Sequence, residues 1–141
     1  MGAVALGRDT KIGLIKRVPL FAHCSKRELA LIARIADEID LPTGKELTRE
    51  GKPGREFLVL LEGTADVSKR GAHVAALGPG DFLGEIALLI DVPRTATVTT
   101  TTPVRALVVA AHHFRQVLAR SPETRVKLVE ALAERLAVTS L

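Results

Sequence analysis

A single cysteine, Cys24, is all the thiol chemistry in this chain, and tryptophan and tyrosine are missing altogether. One cysteine cannot close an intrachain disulfide, and a thiolate zinc site would lack partners. What remains is a buried structural thiol, which fits a reducing cytoplasm. Four phenylalanines are the only aromatic residues, so the core has to be aliphatic. Stacking platforms for nucleic-acid bases are poorly supplied for the same reason. The formal charge of +4 is mild, and the basic residues are spread out rather than clustered. Direct nucleic-acid binding by this chain is therefore not expected. No apolar run approaches the ~18 residues of a membrane span. The opening MGAVALGRDTK is too short and too weakly apolar for a secretory signal. A cytoplasmic protein without a membrane partner is the expectation.

What is present reads as one domain. The 141 residues are 47% hydrophobic and 26% charged, an ordinary profile for a chain able to bury one core. Ser25 followed by Glu28 forms a capping box, and Leu29, Ile32, Ala33 and Ala36 then recur at helical spacing. A short helix over Lys11 to Lys16 precedes it, with Pro19-Leu20-Phe21 as the turn between. From Ile39 to Ala110 the texture changes to short segments between glycines and prolines: FLVLLEG, TADVS, HVAALG, TATVTT, VRALVV. Thr64, Asp66 and Ser68 alternate with Ala65 and Val67, the period of a strand with one polar face. Such a series predicts an antiparallel sandwich or barrel. Asp81 in GPGD reads as a turn residue. Helix returns over His112 to Arg120, and Ser121-Pro122-Glu123 starts a last helix. Its stripe of Leu128, Val129, Leu132, Ala133 and Leu136 suits packing or a homodimer through that helix. The expected layout is a single domain over 10–141: helices about 10–36, β-roll about 39–110, and C-terminal helices about 111–141.

GEIALLIDVPRTA, residues 84 to 96, is the stretch that carries chemistry. Glu85 and Arg94 are too far apart to be a helical ion pair. A strand ending at Gly84 would let the backbone come close to a ligand, and EIALLI would form one or two helical turns. The free N–H groups of that new helix, Ala87's included, offer an anion site. Pro93 would stop the helix and Arg94 would start the next strand, its forked donors matching phosphate oxygens. An acid beside a phosphate makes sense when the ligand also presents hydroxyl donors, as a ribose does. The constellation asks for a nucleotide. A metal site fits badly, with one carboxylate and no nearby histidine; His23, His73, His112 and His113 are scattered.

The same stretch resembles the phosphate-binding cassette of cyclic nucleotide-binding domains, whose pattern is G-E-[LIM]-A-L followed by R-[STA]-A. GKELTREGKPGREFLVLLEGTADV is similar to that family's strand and glycine framework, and PLF with S and EL to its N-terminal helices. FRQVLARSPETRVKLVEALAERLAVTS is similar to the last strand-to-helix region and dimer helix of catabolite-activator-type bacterial regulators. The resemblance spans residues 10 to 141. It implies a mainly β, α+β fold: an eight-stranded antiparallel jelly roll (a double-stranded β-helix) flanked by N-terminal helices and an amphipathic C-terminal helix. It implies a binding set of Gly84, Glu85, Ile86 and Ala87 for ribose and phosphate, with Arg94 and Thr95 on the cyclic phosphate. Thr139 and Ser140 match a pair that reaches the adenine amino group.

The implied function is a non-enzymatic cyclic-nucleotide sensor without catalytic residues, catalytic cofactor or metal. Binding would reposition the C-terminal helix as its output. The likeness of Thr139 and Ser140 favours cAMP over cGMP as the ligand, while a threonine after the arginine, as at Thr95, occurs in members that accept guanine and keeps cGMP open. Regulators of this type carry a DNA-reading motif after the last helix. Leu141 leaves no room for one, so the partner is a separate effector protein or a missing downstream domain. Blander readings stand beside these. Glu85 and Arg94 could close a loop as an ion pair, Thr95 could be a plain strand residue, and Thr139 and Ser140 could be solvated polar groups. The alternative function is a jelly-roll protein-interaction module that binds no ligand.

Overall fold

The computed structural model describes residues 6–139, in two compact units. One joins the N-terminal segment through Ala36 to the chain from His113 onward; the other runs from Asp37 to His112.

The helical unit holds α1 (Arg8–Lys16), a 3-10 turn (Pro19–Phe21), α2 (Lys26–Arg34), most of α3 (Ala111–Ala119) and α4 (Pro122–Thr139). The capping box at α2 is complete. Ser25 Oγ accepts from the Glu28 N–H at 3.2 Å, and the Glu28 carboxylate accepts from the Ser25 N–H at 2.9 Å. Phe21 and Phe114 are fully buried and meet edge to face, ring centroids 5.9 Å apart. Each such burial contributes about 1.5–3 kcal/mol. Leu29, Ile32 and Ala33 face inward as their spacing predicts, but the helix stops at Arg34 and Ala36 opens a strand instead. The cause is local: Ile35 leaves helical geometry at φ −101°, ψ 3°.

Over residues 122–134 of α4 the buried side chains are Thr124, Leu128 and Ala131, whereas Val129 is 64% exposed and Ala133 is exposed. Of the expected stripe, Leu128 is buried and Leu132 half-buried, Val129 and Ala133 face outward, and the side chain of Leu136 lies outside the described residues. The inward arc is set by a polar anchor rather than by valine: the buried carboxylate of Glu28 accepts from the Thr124 hydroxyl and the Lys127 ammonium. Burial pushes the Glu28 carboxyl up, yet donors from Lys127, Ser25 and Thr124 outweigh it and bring it down to about 2. Cys24 is buried nearby, and burial together with the Glu28 charge pushes its thiol up to about 11.

The β unit contains eight strands in two four-stranded sheets. They are β1 (Ala36–Leu41), β2 (Glu46–Thr48), β3 (Glu56–Glu62), β4 (Ala65–Lys69), β5 (Ala72–Leu77), β6 (Phe82–Leu83), β7 (Thr97–Thr100) and β8 (Val104–Ala110). The orders are β1-β8-β3-β6 and β2-β7-β4-β5, with antiparallel pairing of β3 to β8 and β6, and of β7 to β2 and β4. Leu58 and Leu60 of β3, Ala106 and Val108 of β8, Ala65 of β4 and Val98 of β7 form one core, fed by both sheets. The alternation of small and β-branched residues in these segments is what lets one face of each strand enter it. At the GPGD turn the Asp81 carboxylate accepts from the Gly78 N–H at 2.8 Å, as a turn residue should.

Arg94 does not begin a strand; β7 starts at Thr97. Pro93 has no N–H to give to a ladder, so residues 92–95 run as a loop. That loop is fastened to the β2–β3 connection. The Arg94 N–H donates to the Lys52 carbonyl at 2.8 Å, the Gly51 N–H donates to the Arg94 carbonyl at 2.9 Å, and Pro53 and Pro93 form an isolated bridge.

Candidate functional site

Six of the eight residues singled out in the sequence line one cavity of about 480 Å³ inside the β unit: Gly84, Glu85, Ile86, Ala87, Arg94 and Thr95. A cavity of that volume takes a small organic ligand. Its lining is of two kinds. The segment 84–95 supplies the polar groups, Glu85, Arg94 and Thr95, alongside Ile86, Ala87, Val92 and Pro93. Val67 of β4, Ala75 and Leu77 of β5 and Val98 of β7 add an apolar strand wall, and Phe82 stacks on Phe57. A ligand with one anionic end and one flat, weakly polar end matches that division.

The polar groups are organised around Arg94. Its Nη2 donates to the Glu56 carbonyl at 2.6 Å. Burial pulls the guanidinium's pKa below its ordinary value, while the carboxylates of Glu56 and Glu85 push it back up. Arginine starts so high that it stays charged throughout. Two glycines make its slot. A Cβ on Gly54 would overlap the Arg94 Nε and Cδ, and a Cβ on Gly84 would overlap Nη1 and the Glu56 carbonyl. Gly84 also sits at φ +82°, a backbone region that side chains disfavour. Gly84, expected to let the backbone come close to a ligand, lines the cavity and leaves the space that the Arg94 guanidinium fills.

The expected helix after Gly84 is a single 3-10 turn, Glu85–Leu88. Its closing bond uses the Ala87 N–H, which donates to the Gly84 carbonyl at 3.1 Å. The anticipated free amide at Ala87 is therefore already committed, because a 3-10 turn pairs each N–H three residues back rather than four. Ala87 and Leu88 are buried, whereas Ile90 is 55% exposed. Thr95 is exposed at the cavity. Thr139 is the last residue of α4, and its side chain, like all of Ser140, lies outside the described residues.

Sequence reasoning missed Gly54, the apolar wall and Lys69, which also lines the cavity. For Val67 the signal was there, in the inward phase of the alternation in TADVS. Gly54 gave none, since its partner is forty residues away and the local KPGR reads simply as a turn. Among the described residues there is no group of three or more His, Cys, Asp or Glu side chains able to hold a metal ion. No helix there is long and apolar enough to cross a membrane.

Eight strands in two sheets around a shared core, with a ligand-sized cavity gathering one arginine and one glutamate from a single loop, define a small-molecule-binding β-domain. The chain belongs to the cyclic nucleotide-binding domain family, whose model matches residues 38–121. A cAMP-dependent protein kinase regulatory subunit from Eremothecium gossypii is 37% identical over 105 residues, 74% of this chain. The match spans only 23% of that protein's length. The N-terminal domain of a transcriptional regulator from Streptomyces coelicolor A3(2) is similar in structure, with a TM-score of 0.81 and 32% identity over 90% of this chain and 94% of that one. A cyclic nucleotide-binding-like protein from Brucella abortus gives a TM-score of 0.73 and 27% identity, over 79% of this chain and 99% of that one.

Proposed function

We propose that this chain is a non-enzymatic sensor that binds a cyclic purine nucleotide, cAMP in preference to cGMP, in the 480 Å³ cavity. The observation that carries the reading is the gathering of Arg94, Glu85 and apolar strand residues around one cavity. Arg94 would hold the cyclic phosphate with help from the Thr95 hydroxyl, and Glu85 would accept from the ribose hydroxyl. Gly84 serves the site by making room for Arg94. The Ala87 amide would reach the phosphate only by giving up its bond to Gly84, so we assign it a role only in a rearranged turn. The name of the kinase regulatory subunit supports cAMP over cGMP.

In this reading the two sheets are a jelly roll, and repositioning of α4 is the output. The listener is an effector protein or a further domain of a longer protein. The exposed Val126 and Val129 of α4 give that helix an apolar face suited to a second copy. Thermal unfolding with and without nucleotide tests the proposal. A ligand at ~100 times its dissociation constant stabilises the native state by ~2.7 kcal/mol. Titrating cAMP and cGMP side by side should raise Tm with both and more with cAMP at equal concentration. If neither nucleotide shifts the transition at millimolar concentration, the reading fails and a ligand-free interaction module takes its place.

A further inference from the structure

We propose that Lys69 is a second anion-binding residue of the cavity, reaching the phosphate of a monoanionic cyclic nucleotide from β4, the strand paired with β7 just beyond Arg94. The inference rests on the nucleotide reading above and names a contact that reading does not contain.

Three charged residues line the cavity: Lys69, Glu85 and Arg94. Arg94 is not fully available to a ligand. One of its donors is held by the Glu56 carbonyl at 2.6 Å, and the carboxylates of Glu56 and Glu85 already offset its charge. Arg94 and Glu85 alone would give the cavity no net charge, and so little long-range attraction for an anion. Lys69 tips it to one positive charge, which complements the single negative charge of a cyclic phosphodiester.

Position supports the same assignment. Along β4 the residues Ala65, Val67 and Lys69 share one face by the two-residue period of a strand. Ala65 belongs to the core and Val67 to the cavity wall, so that face is the inner one. Ser68 pairs with Thr97 of β7, which sets Lys69 level with Ala96, two residues after Arg94. The lysine therefore lies at the phosphate end of the cavity rather than at the Leu77 end. Its methylenes can lie along the apolar wall while the ammonium reaches inward. Among the described residues its ammonium makes no ion pair, so it is not committed to a structural partner.

Isothermal titration of cAMP and cGMP into the full chain and its Lys69→Met and Lys69→Arg variants tests this, at low and at physiological salt, with adenosine as the uncharged probe. Lys69→Met should bind the cyclic nucleotide about fivefold more weakly than wild type at low salt, the scale of one partly exposed charge pair. Its affinity should depend less on salt, Lys69→Arg should recover most of the loss, and adenosine should not distinguish the three proteins. Equal affinity and an equal salt slope in wild type and Lys69→Met would overturn the assignment while leaving the nucleotide reading intact. An equal loss for adenosine would also overturn it, by showing that the lysine meets the nucleoside rather than the phosphate. A wild-type protein that binds neither nucleotide removes both proposals together.

Discussion

Gly84 and Arg94 fit each other as slot and key: the side chain that Gly84 lacks would stand where the Arg94 guanidinium lies. Gly54 lines the same slot along the Arg94 Nε and Cδ. The two glycines differ in one respect that separates packing from backbone strain. Gly84 has a positive φ and a second close neighbour in the Glu56 carbonyl, whereas the atoms nearest a Cβ on Gly54 all belong to the Arg94 side chain. Gly84→Ala should therefore destabilise the fold by at least about 1–2 kcal/mol and also weaken nucleotide binding. Gly54→Ala should weaken binding while changing stability by less than about 1 kcal/mol, since Arg94 can swing away. Urea titration beside calorimetric affinity checks both. Equal loss of stability in the two variants would show that the slot at Gly54 is rigid.

Arg94→Lys retains the charge but not the fork. A lysine cannot hold the Glu56 carbonyl and a phosphate oxygen with fixed parallel donors. Nucleotide affinity should fall by at least about 1 kcal/mol, on the order of one charged hydrogen bond. Calorimetry showing wild-type affinity would place the phosphate elsewhere.

Glu85→Gln is expected to discriminate between sugars. The wild type should prefer the natural ribose over the 2′-deoxy analogue, and the glutamine variant should lose most of that preference because a carboxylate is the stronger acceptor. Parallel titrations with both ligands read it out. A variant that weakens both equally would mean that Glu85 acts on Arg94 and not on the sugar.

Glu28 makes stability pH-dependent in the helical unit. Its carboxyl sits near 2 in the folded chain against an ordinary 4.5. A depressed folded value means that the stabilisation is fully present above about 4.5 and is lost as pH falls from there toward 2. The difference corresponds to roughly 3 kcal/mol. Denaturant midpoints measured between pH 6 and pH 2 should decline over that window in wild type. Glu28→Gln should start about 1–3 kcal/mol lower and decline less steeply.

Cys24 should resist thiol reagents in the native state. It is 4% exposed with its thiol pushed up to about 11, so few molecules carry the reactive thiolate near neutral pH. Labelling at pH 8 should be slow in buffer and fast in denaturant. Fast native labelling would mean that the helices around it open often.

Much of this was legible in the sequence because it is written at short range. Ser25 and Glu28 announce their cap at three residues' separation, and the strands over FLVLLEG, TADVS, HVAALG and VRALVV carry their own period and turn signals. The gathering of Gly84, Glu85, Arg94 and Thr95 was legible because all four lie within one loop. Long-range facts were not. Nothing in KPGR tells that Gly54 faces an arginine forty residues on, and nothing in the α4 stripe tells that Thr124 and Lys127 answer a carboxylate on α2. Local propensity also misled at two boundaries. Ala36 continued a helical spacing that Ile35 had already broken, and Arg94 looked like a strand start until Pro93 was weighed as a residue without a ladder donor.

The fastening of residues 51–54 to residues 92–94 gives the cavity wall a double thickness of chain. The loop that holds Arg94 cannot shift alone, because its main chain is hydrogen-bonded on both sides of the α-carbon to Gly51 and Lys52. The segment to which it is fastened, residues 51–54, does not line the cavity. A label placed on that exposed loop would lie outside the cavity and leave its lining unaltered.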